Sequence, residues 1–308
     1  MTVSLSGMSL NLLPSFHRTH RNPQAAAWGL GVLLMAASCS GAPLPVPSAA
    51  ATPGSDRTTN PAPPAERVVA IGDLHADLDD TLAVFEMTGL TDKAGKWVGG
   101  QTIFVQTGDL TDRGPDSKEV IELLQALEPQ AAAAGGKVIA LMGNHEAMNM
   151  TGDLRYVSPL DVADFGTATA RATAFSASGE IGQWLRARDV VQKVDTTIFV
   201  HGGMSPAWAE RGLEGTNADA RHAIDHNPRA PVLGPEGPLW LRDYLLADEA
   251  LACPALQRAL TSMGATRMVV GHTTQSSGRV AVRCGGALVG IDTGISSHYG
   301  QNHAAVEI

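Results

Sequence analysis

Basic excess is missing from this chain. Its 308 residues carry 22 Lys and Arg against 31 Asp and Glu, a formal net charge of -9, and only 5% of residues are aromatic. A nucleic-acid binder normally carries a basic patch, so that class is disfavoured. Acidity leaves phosphate substrates open, because bound divalent metals can dominate the local field whatever the net charge. A bilayer-spanning run is also missing. The apolar stretch Ala25 to Ala37, with Trp28, Leu30, Val32, Leu33, Leu34 and Met35, is too short to cross comfortably. Internal repeats are absent, and cysteine is scarce, at three residues: Cys39, Cys253 and Cys284.

What is present begins with an export pattern. Arg18, His20 and Arg21 form a basic flank to that apolar run, which has the length of a signal-peptide core. It ends in Ala36-Ala37-Ser38-Cys39. Small residues directly before a Cys resemble a bacterial lipobox, in which the Cys is acylated after cleavage; Ala36 stands where Leu is usual. The alternative is an ordinary signal peptide cut nearby, and Met8 is an alternative start. Residues 40–65 are Pro, Ala, Ser and Thr with almost no large apolar side chain, a composition that cannot offset its ordering entropy. The expected organisation is therefore a signal peptide over 1–39, a flexible tether over 40–65 and one catalytic domain over 66–308. The expected location is periplasmic, with a lipid tether to the membrane if Cys39 is acylated. Cys253 and Cys284 would then meet an oxidising compartment and could pair, although two free buried thiols fit the spacing as well.

Short β-branched runs alternate with helical spacing from Arg67 onward. Strands are expected at Arg67–Gly72, Thr102–Gln106, Lys137–Leu141, Thr196–Val200 and Arg267–Val270, each ended by a polar cluster. Helices are expected at Asp77–Met87, Ser117–Ala134, Asp161–Arg188 and Ala255–Met263, and two more strands around Gly285-Gly286. The pattern predicts an α/β fold with parallel or mixed sheets.

The polar clusters are Gly72-Asp73-Leu74-His75, Gly108-Asp109-Leu110-Thr111-Asp112-Arg113-Gly114, Gly143-Asn144-His145-Glu146, His201-Gly202-Gly203 and Gly271-His272-Thr273. Carboxyl ends of strands form the ligand crevice of such sheets, so all five should converge. The convergent ligand set is Asp73, His75, Asp109, Asn144, His201 and His272. Imidazole with carboxylate and amide oxygen suits Zn, Mn or Fe. Six ligands exceed one four-coordinate ion but suit two ions bridged by one carboxylate, an arrangement used for displacement at phosphorus. Singly, Gly-Asp-x-His and Asp-Arg-Gly are weak signals and a lone His after a strand is usually structural, whereas Gly143-Asn144-His145-Glu146 is more specific, because polar residues with turn character follow a strongly apolar strand. His222 and His226 read as solvent-exposed, and His298 and His303 show no ligand spacing.

These motifs resemble the phosphoprotein-phosphatase branch of the calcineurin-like superfamily, in particular the Shewanella-like protein phosphatases. Gly72-Asp73-Leu74-His75-Ala76-Asp77, Pro238-Leu239-Trp240-Leu241-Arg242 and Ile291-Asp292-Thr293-Gly294 carry the likeness over Arg67–Ile308. The resemblance implies a four-layer α/β/β/α sandwich and two divalent metals. It makes Asp73 and His75 ligands of the first metal, Asp109 the bridge, and Asn144, His201 and His272 ligands of the second. Arg113 and Arg242 would hold phosphate oxygens, and His145, oriented by Asp112, would protonate the leaving oxygen. The implied activity is hydrolysis of phosphomonoesters, on proteins or small phosphoesters, with phosphotyrosine favoured over phosphoserine and phosphothreonine. No cysteine sits in a phosphate-cradling loop, and no covalent phosphoenzyme is needed. Eukaryotic Ser/Thr phosphatases usually have Gly where Ala76 stands, and their C-terminal tyrosine loop is not found here. The same motifs resemble diadenosine polyphosphate hydrolases. An alternative of another class is an exported scaffold with an inactive phosphatase domain, which a missing ligand would favour. The segment Thr151–Arg188 is expected to lie over the site.

Overall fold

The computed structural model describes residues 67–308 together with the backbone of one short strand, β1 (Thr2–Ser4). The signal-peptide, lipobox and tether assignments otherwise lie outside the described residues.

Alternation builds the central layers. In β2 (Val68–Ile71), Val68 and Ala70 point to one side, Val69 and Ile71 to the other. Both faces are apolar, as a strand covered on two sides requires. β3 (Ile103–Gln106) and β4 (Lys137–Ala140) continue the sheet in parallel register, Ala70 opposite Val105 and Val105 opposite Ile139. The order is β1-β10-β2-β3-β4, with β10 (Ala305–Glu307) antiparallel to β2. The second sheet runs β5-β6-β7-β9-β8. Here β6 (Thr197–Val200), β7 (Arg267–Val270) and β9 (Leu288–Gly290) are parallel, and β5 (Val191–Val194) and β8 (Ala281–Arg283) are antiparallel edges.

Three apolar clusters separate the layers. Val68, Ala70, Val105, Phe199, Val269 and Val289 join the inner faces of the two sheets. Val69, Ile71 and Phe104 pack outward with Val84 and Phe85 of α1 (Leu78–Met87) and Val120, Ile121 and Leu124 of α2 (Ser117–Ala133). Ile198, Val200, Met268 and Val270 pack outward with side chains of four helices on the other side. The result is the α/β/β/α sandwich. The chain reaches those outer helices after α3 (Asn144–Thr151), which leaves the end of β4.

Residues 161–188 are mainly helical, as expected, in three short pieces: α4 (Pro159–Asp164), α5 (Ala168–Phe175) and α6 (Glu180–Arg186). Gly166 breaks the run at φ 81°, and the Thr167 cap accepts the Ala170 backbone N–H that a continuous helix would use internally. The edge strands β1, β5 and β10 were not expected. The outer helices of the second sheet are α7 (Pro206–Arg211), α8 (Leu213–His226), α9 (Asp243–Leu246) and α10 (Glu249–Ser262).

Cys253 of α10 and Cys284 of the β8–β9 turn form a disulfide across 31 residues of sequence. Closing a loop of that length constrains the unfolded chain by about 3–4 kcal/mol. Reduction, or Cys253→Ser with Cys284→Ser, should lower unfolding stability by about that amount. Urea denaturation with and without reductant measures it, and coincident midpoints would refute the contribution.

Candidate active site

Each ligand candidate leaves a strand end directly. Asp73 and His75 follow β2, Asp109 and Asp112 follow β3, Asn144 and His145 follow β4, His201 follows β6 and His272 follows β7. All eight are at most 5% exposed. Two of the glycines before them are required by space. A Cβ on Gly143 would overlap Asp109 Oδ1, and one on Gly271 would overlap Asp73 Oδ1.

The loops after β2 and β3 are woven together. The backbone N–H groups of Leu74 and His75 donate to Asp109 O at 3.0 and 2.9 Å, and Ala76 N–H donates to Leu110 O at 2.8 Å. His75, Ala76, Asp109, Asp112, Arg113 and His272 all have positive φ, between 48° and 72°. Left-handed backbone at non-glycine residues costs on the order of 1 kcal/mol or more each and persists where the surroundings over-determine it. Glu146 supplies much of that determination. Its buried carboxylate accepts from the backbone N–H groups of Asp109 (2.9 Å), Leu110 (2.8 Å), Thr111 (3.1 Å) and Gly143 (2.7 Å), and from the Thr111 hydroxyl (3.0 Å).

The imidazoles are aimed. His201 Nδ1 donates to Thr107 O at 2.9 Å and His75 Nδ1 to Thr111 O at 3.3 Å, which turns each Nε2 inward. His201 Nε2 lies 3.3 Å from Asp109 Oδ1 and 2.9 Å from Asn144 Oδ1. His75 Nε2 lies 3.8 Å from Asp109 Oδ2 and 3.9 Å from Asp73 Oδ2. Candidate donor atoms fall into two sets, His75–Asp109–His145 and Asp109–His201–His272, each within 4.8 Å of one another. Asp109 belongs to both. His272 Nε2 is buried with no hydrogen-bond partner.

Electrostatics point the same way. Burial lowers His75 to about 3 and His272 to about 2, so both offer neutral lone pairs. Burial pushes Asp73 well up, and Asp292 and Asp109 add to it. Burial also raises Asp292 and Glu146. Asp109 stays well below the usual range because His201, His145 and His75 outweigh its burial. Neutral imidazoles, crowded carboxylates and one orphaned ring nitrogen form a donor set that a divalent cation satisfies.

Beside the ligands, His145 Nδ1 bonds Asp112 Oδ2 at 2.7 Å, which leaves Nε2 on the side of Asp109, 3.8 Å away. Burial pulls His145 down, but Asp109 and Asp112 outweigh it and its pKa is raised. Arg113 places its guanidinium 3.9 Å from the Tyr156 ring centre, with Nε buried and unbonded. Arg242 donates to His272 O at 2.6 Å.

All ten sequence-predicted residues therefore border one crevice of strand ends. Several contributors were missed. Glu146 was quoted only as part of a motif. Tyr299, in the C-terminal loop, lies 4.9 Å from the His75 ring and 5.9 Å from the Arg113 guanidinium, so a C-terminal tyrosine does reach the site. Trp240 stacks edge-on to His272 at 5.4 Å. His222 and His226 are exposed on α8, as expected. His303 has a structural role, bonding Asp80 at 2.8 Å.

The calcineurin-like phosphoesterase family model matches residues 66–302. An uncharacterized protein of Schizosaccharomyces pombe is 36% identical over 256 residues, which cover 78% of this chain and 76% of that protein. Shewanella-like protein phosphatase 2 of Arabidopsis thaliana is 32% identical over 284 residues, covering 75% and 72%. Among solved structures, a cold-active protein-tyrosine phosphatase of a psychrophilic Shewanella superposes with a TM-score of 0.68 at 31% identity, covering 78% of this chain and 74% of that one.

Asp109, shared by both donor sets, sets a sharp expectation. Asp109→Asn should lower bound divalent metal from about two equivalents to well under one, because Asp109 is the residue common to both donor sets. Elemental analysis of the purified variant decides it; full metal content would exclude the bridging role.

Proposed function

We propose that this chain, which belongs to the calcineurin-like phosphoesterase family, is a metal-dependent phosphoric monoester hydrolase, and that it acts as a protein phosphatase with a preference for phosphotyrosine. The observation that carries the reading is the pair of donor clusters that share Asp109, the first of which includes His145, held by Asp112.

Asp73, His75 and Asp109 would hold one divalent ion, and Asp109, Asn144, His201 and His272 the other. When bound, such a pair activates water and offsets charge on the phosphoryl oxygens. Arg113 and Arg242 would fork onto those oxygens. Tyr156 orients Arg113 twice: its ring lies against the guanidinium, and its carbonyl accepts the Arg113 backbone N–H at 3.0 Å. His145 would pass the proton at Nε2 to the leaving oxygen. Asp112 fixes the opposite nitrogen and keeps that proton available.

Tyrosine preference is supported by the walls. Tyr156 and Tyr299 flank Arg113, so an aryl leaving group would meet aromatic faces. The Shewanella structure that the chain resembles is titled a protein-tyrosine phosphatase. We further propose export, with Cys39 as lipid anchor. The Cys253–Cys284 disulfide supports an oxidising compartment.

The decisive assay uses purified protein, stripped of metal and refilled with Mn or Zn, on phosphotyrosine, phosphoserine and phosphothreonine peptides and on diadenosine tetraphosphate. Metal-dependent phosphate release, fastest from phosphotyrosine, is expected. Cleavage of the dinucleotide alone would move the activity to phosphoanhydrides, and silence on every substrate would leave a scaffold. In the same assay His145→Asn should slow phenyl phosphate on the order of 100-fold and nitrophenyl phosphate far less, because only the poor leaving group needs the proton.

A further inference from the structure

Asp112 is fully buried, and its two carboxylate oxygens face different tasks. Oδ2 holds His145 Nδ1 at 2.7 Å. Oδ1 accepts from Asn149 Nδ2 at 2.9 Å. Without that second bond the carboxylate could rotate about its last torsion, a broad and soft one, and carry the imidazole with it.

Asn149 is itself clamped. The same Nδ2 donates to His145 O at 2.9 Å, one turn back along α3, and Oδ1 accepts from Arg171 Nη1 at 2.7 Å. Arg can only donate and a carboxylate can only accept, so the amide has one orientation that satisfies both neighbours. Arg171 comes from α5, 22 residues beyond Asn149 in sequence. It is 3% exposed. Its Nε donates to Asp161 Oδ2 at 2.6 Å, its Nη2 lies 3.9 Å from Asp112 Oδ1, and its guanidinium sits 4.3 Å from the Phe175 ring centre. Asp161 in turn accepts the Ser117 backbone N–H at 3.0 Å, which ties the group to α2. An ionised, paired guanidinium is expensive to bury, so a fixed task for it is expected.

The geometry points to Asn149 and Arg171 as positioning residues for leaving-group protonation. They act through Asp112, hold His145 Nε2 on the reacting centre and touch no substrate atom themselves. The inference rests on the proposed acid role of His145. It gives the segment over the site a part in the chemical step through Arg171, in addition to any part in selectivity.

The test compares phenyl phosphate with nitrophenyl phosphate for full-length, metal-loaded protein. Asn149→Ala and Arg171→Ala should each slow phenyl phosphate by about 10–100-fold, the range for residues that orient a functional histidine, and nitrophenyl phosphate by no more than about threefold. The double variant should lose no more than the worse single one, since the two act in series. A cavity of about 590 Å³, lined by Asn149, Arg171, Leu154, Val157 and Phe175 among others, adjoins the guanidinium. Added guanidinium ion should therefore restore much of the phenyl phosphate rate to Arg171→Ala and none to His145→Asn. Should Arg171→Ala fail to fold, Asn149→Ala carries the same comparison alone. Equal losses on both substrates, with His145→Asn still selective, would overturn the positioning role only. Equal losses in His145→Asn as well would remove the acid role, and this inference with it.

Discussion

One buried carboxylate holds the site open. Glu146 takes the backbone N–H groups of three successive residues after β3 and of the glycine that begins α3. That interaction fixes the left-handed turn at Asp109, and through the Asp109 and Leu110 carbonyls it fixes the loop carrying Asp73 and His75. Most of the ligand geometry follows from it. Strained backbone of this kind survives only where several bonds demand the same conformation. Here the Glu146 carboxylate and the crossed loops supply them.

The same crowding explains the charge state. Asp73, Asp109, Glu146 and Asp292 are buried close together, and three of the four are pushed upward by burial. His75 and His272 are held neutral at ordinary pH. Hydrogen bonds alone leave the set unbalanced, with His272 Nε2 unsatisfied. Neutral imidazoles offer lone pairs without losing a proton, whereas a crowded carboxyl such as Asp73 releases its proton when a dication binds, so metal binding at this site is linked to pH.

The legible part of the molecule was the part with short-range signals. The five apolar runs ending in Gly, Asp or His gave the parallel strands and their convergence, because strand, turn and ligand are consecutive in sequence. The edge strands were not legible. β5 and β10 are three or four residues long and gain their identity from neighbours. The breaks within residues 161–188 fall at Gly166 and the Thr167 cap, and at Ser176, whose extended backbone ends α5. Site residues divided along the same line. The candidate ligands stood out because a metal demands a particular residue type, here placed at strand ends. Asn149, Tyr156, Arg171 and Tyr299 could not, since each is an ordinary residue until a distant segment places it. The pairing of Cys253 with Cys284 was open for the same reason.

Floor and walls thus follow different rules. The floor is set by strand ends whose register is locked between two sheets, so the ligands can shift little without unpacking the core. The walls come from longer connections with their own anchors. Tyr299 stands on a loop whose Ser297 backbone N–H and hydroxyl donate to Asp77 at 2.8 and 2.6 Å, while Gln301 and His303 bond Asp80. Asp77 also caps α1 by accepting the Asp80 N–H at 3.1 Å. The helix that follows the Asp73–His75 loop therefore anchors the loop carrying Tyr299. The wall sequence can therefore vary while the floor keeps its geometry. The floor has less freedom, because backbone bonds join its members: His75 N–H donates to Asp109 O and His272 N–H to Asp73 Oδ1.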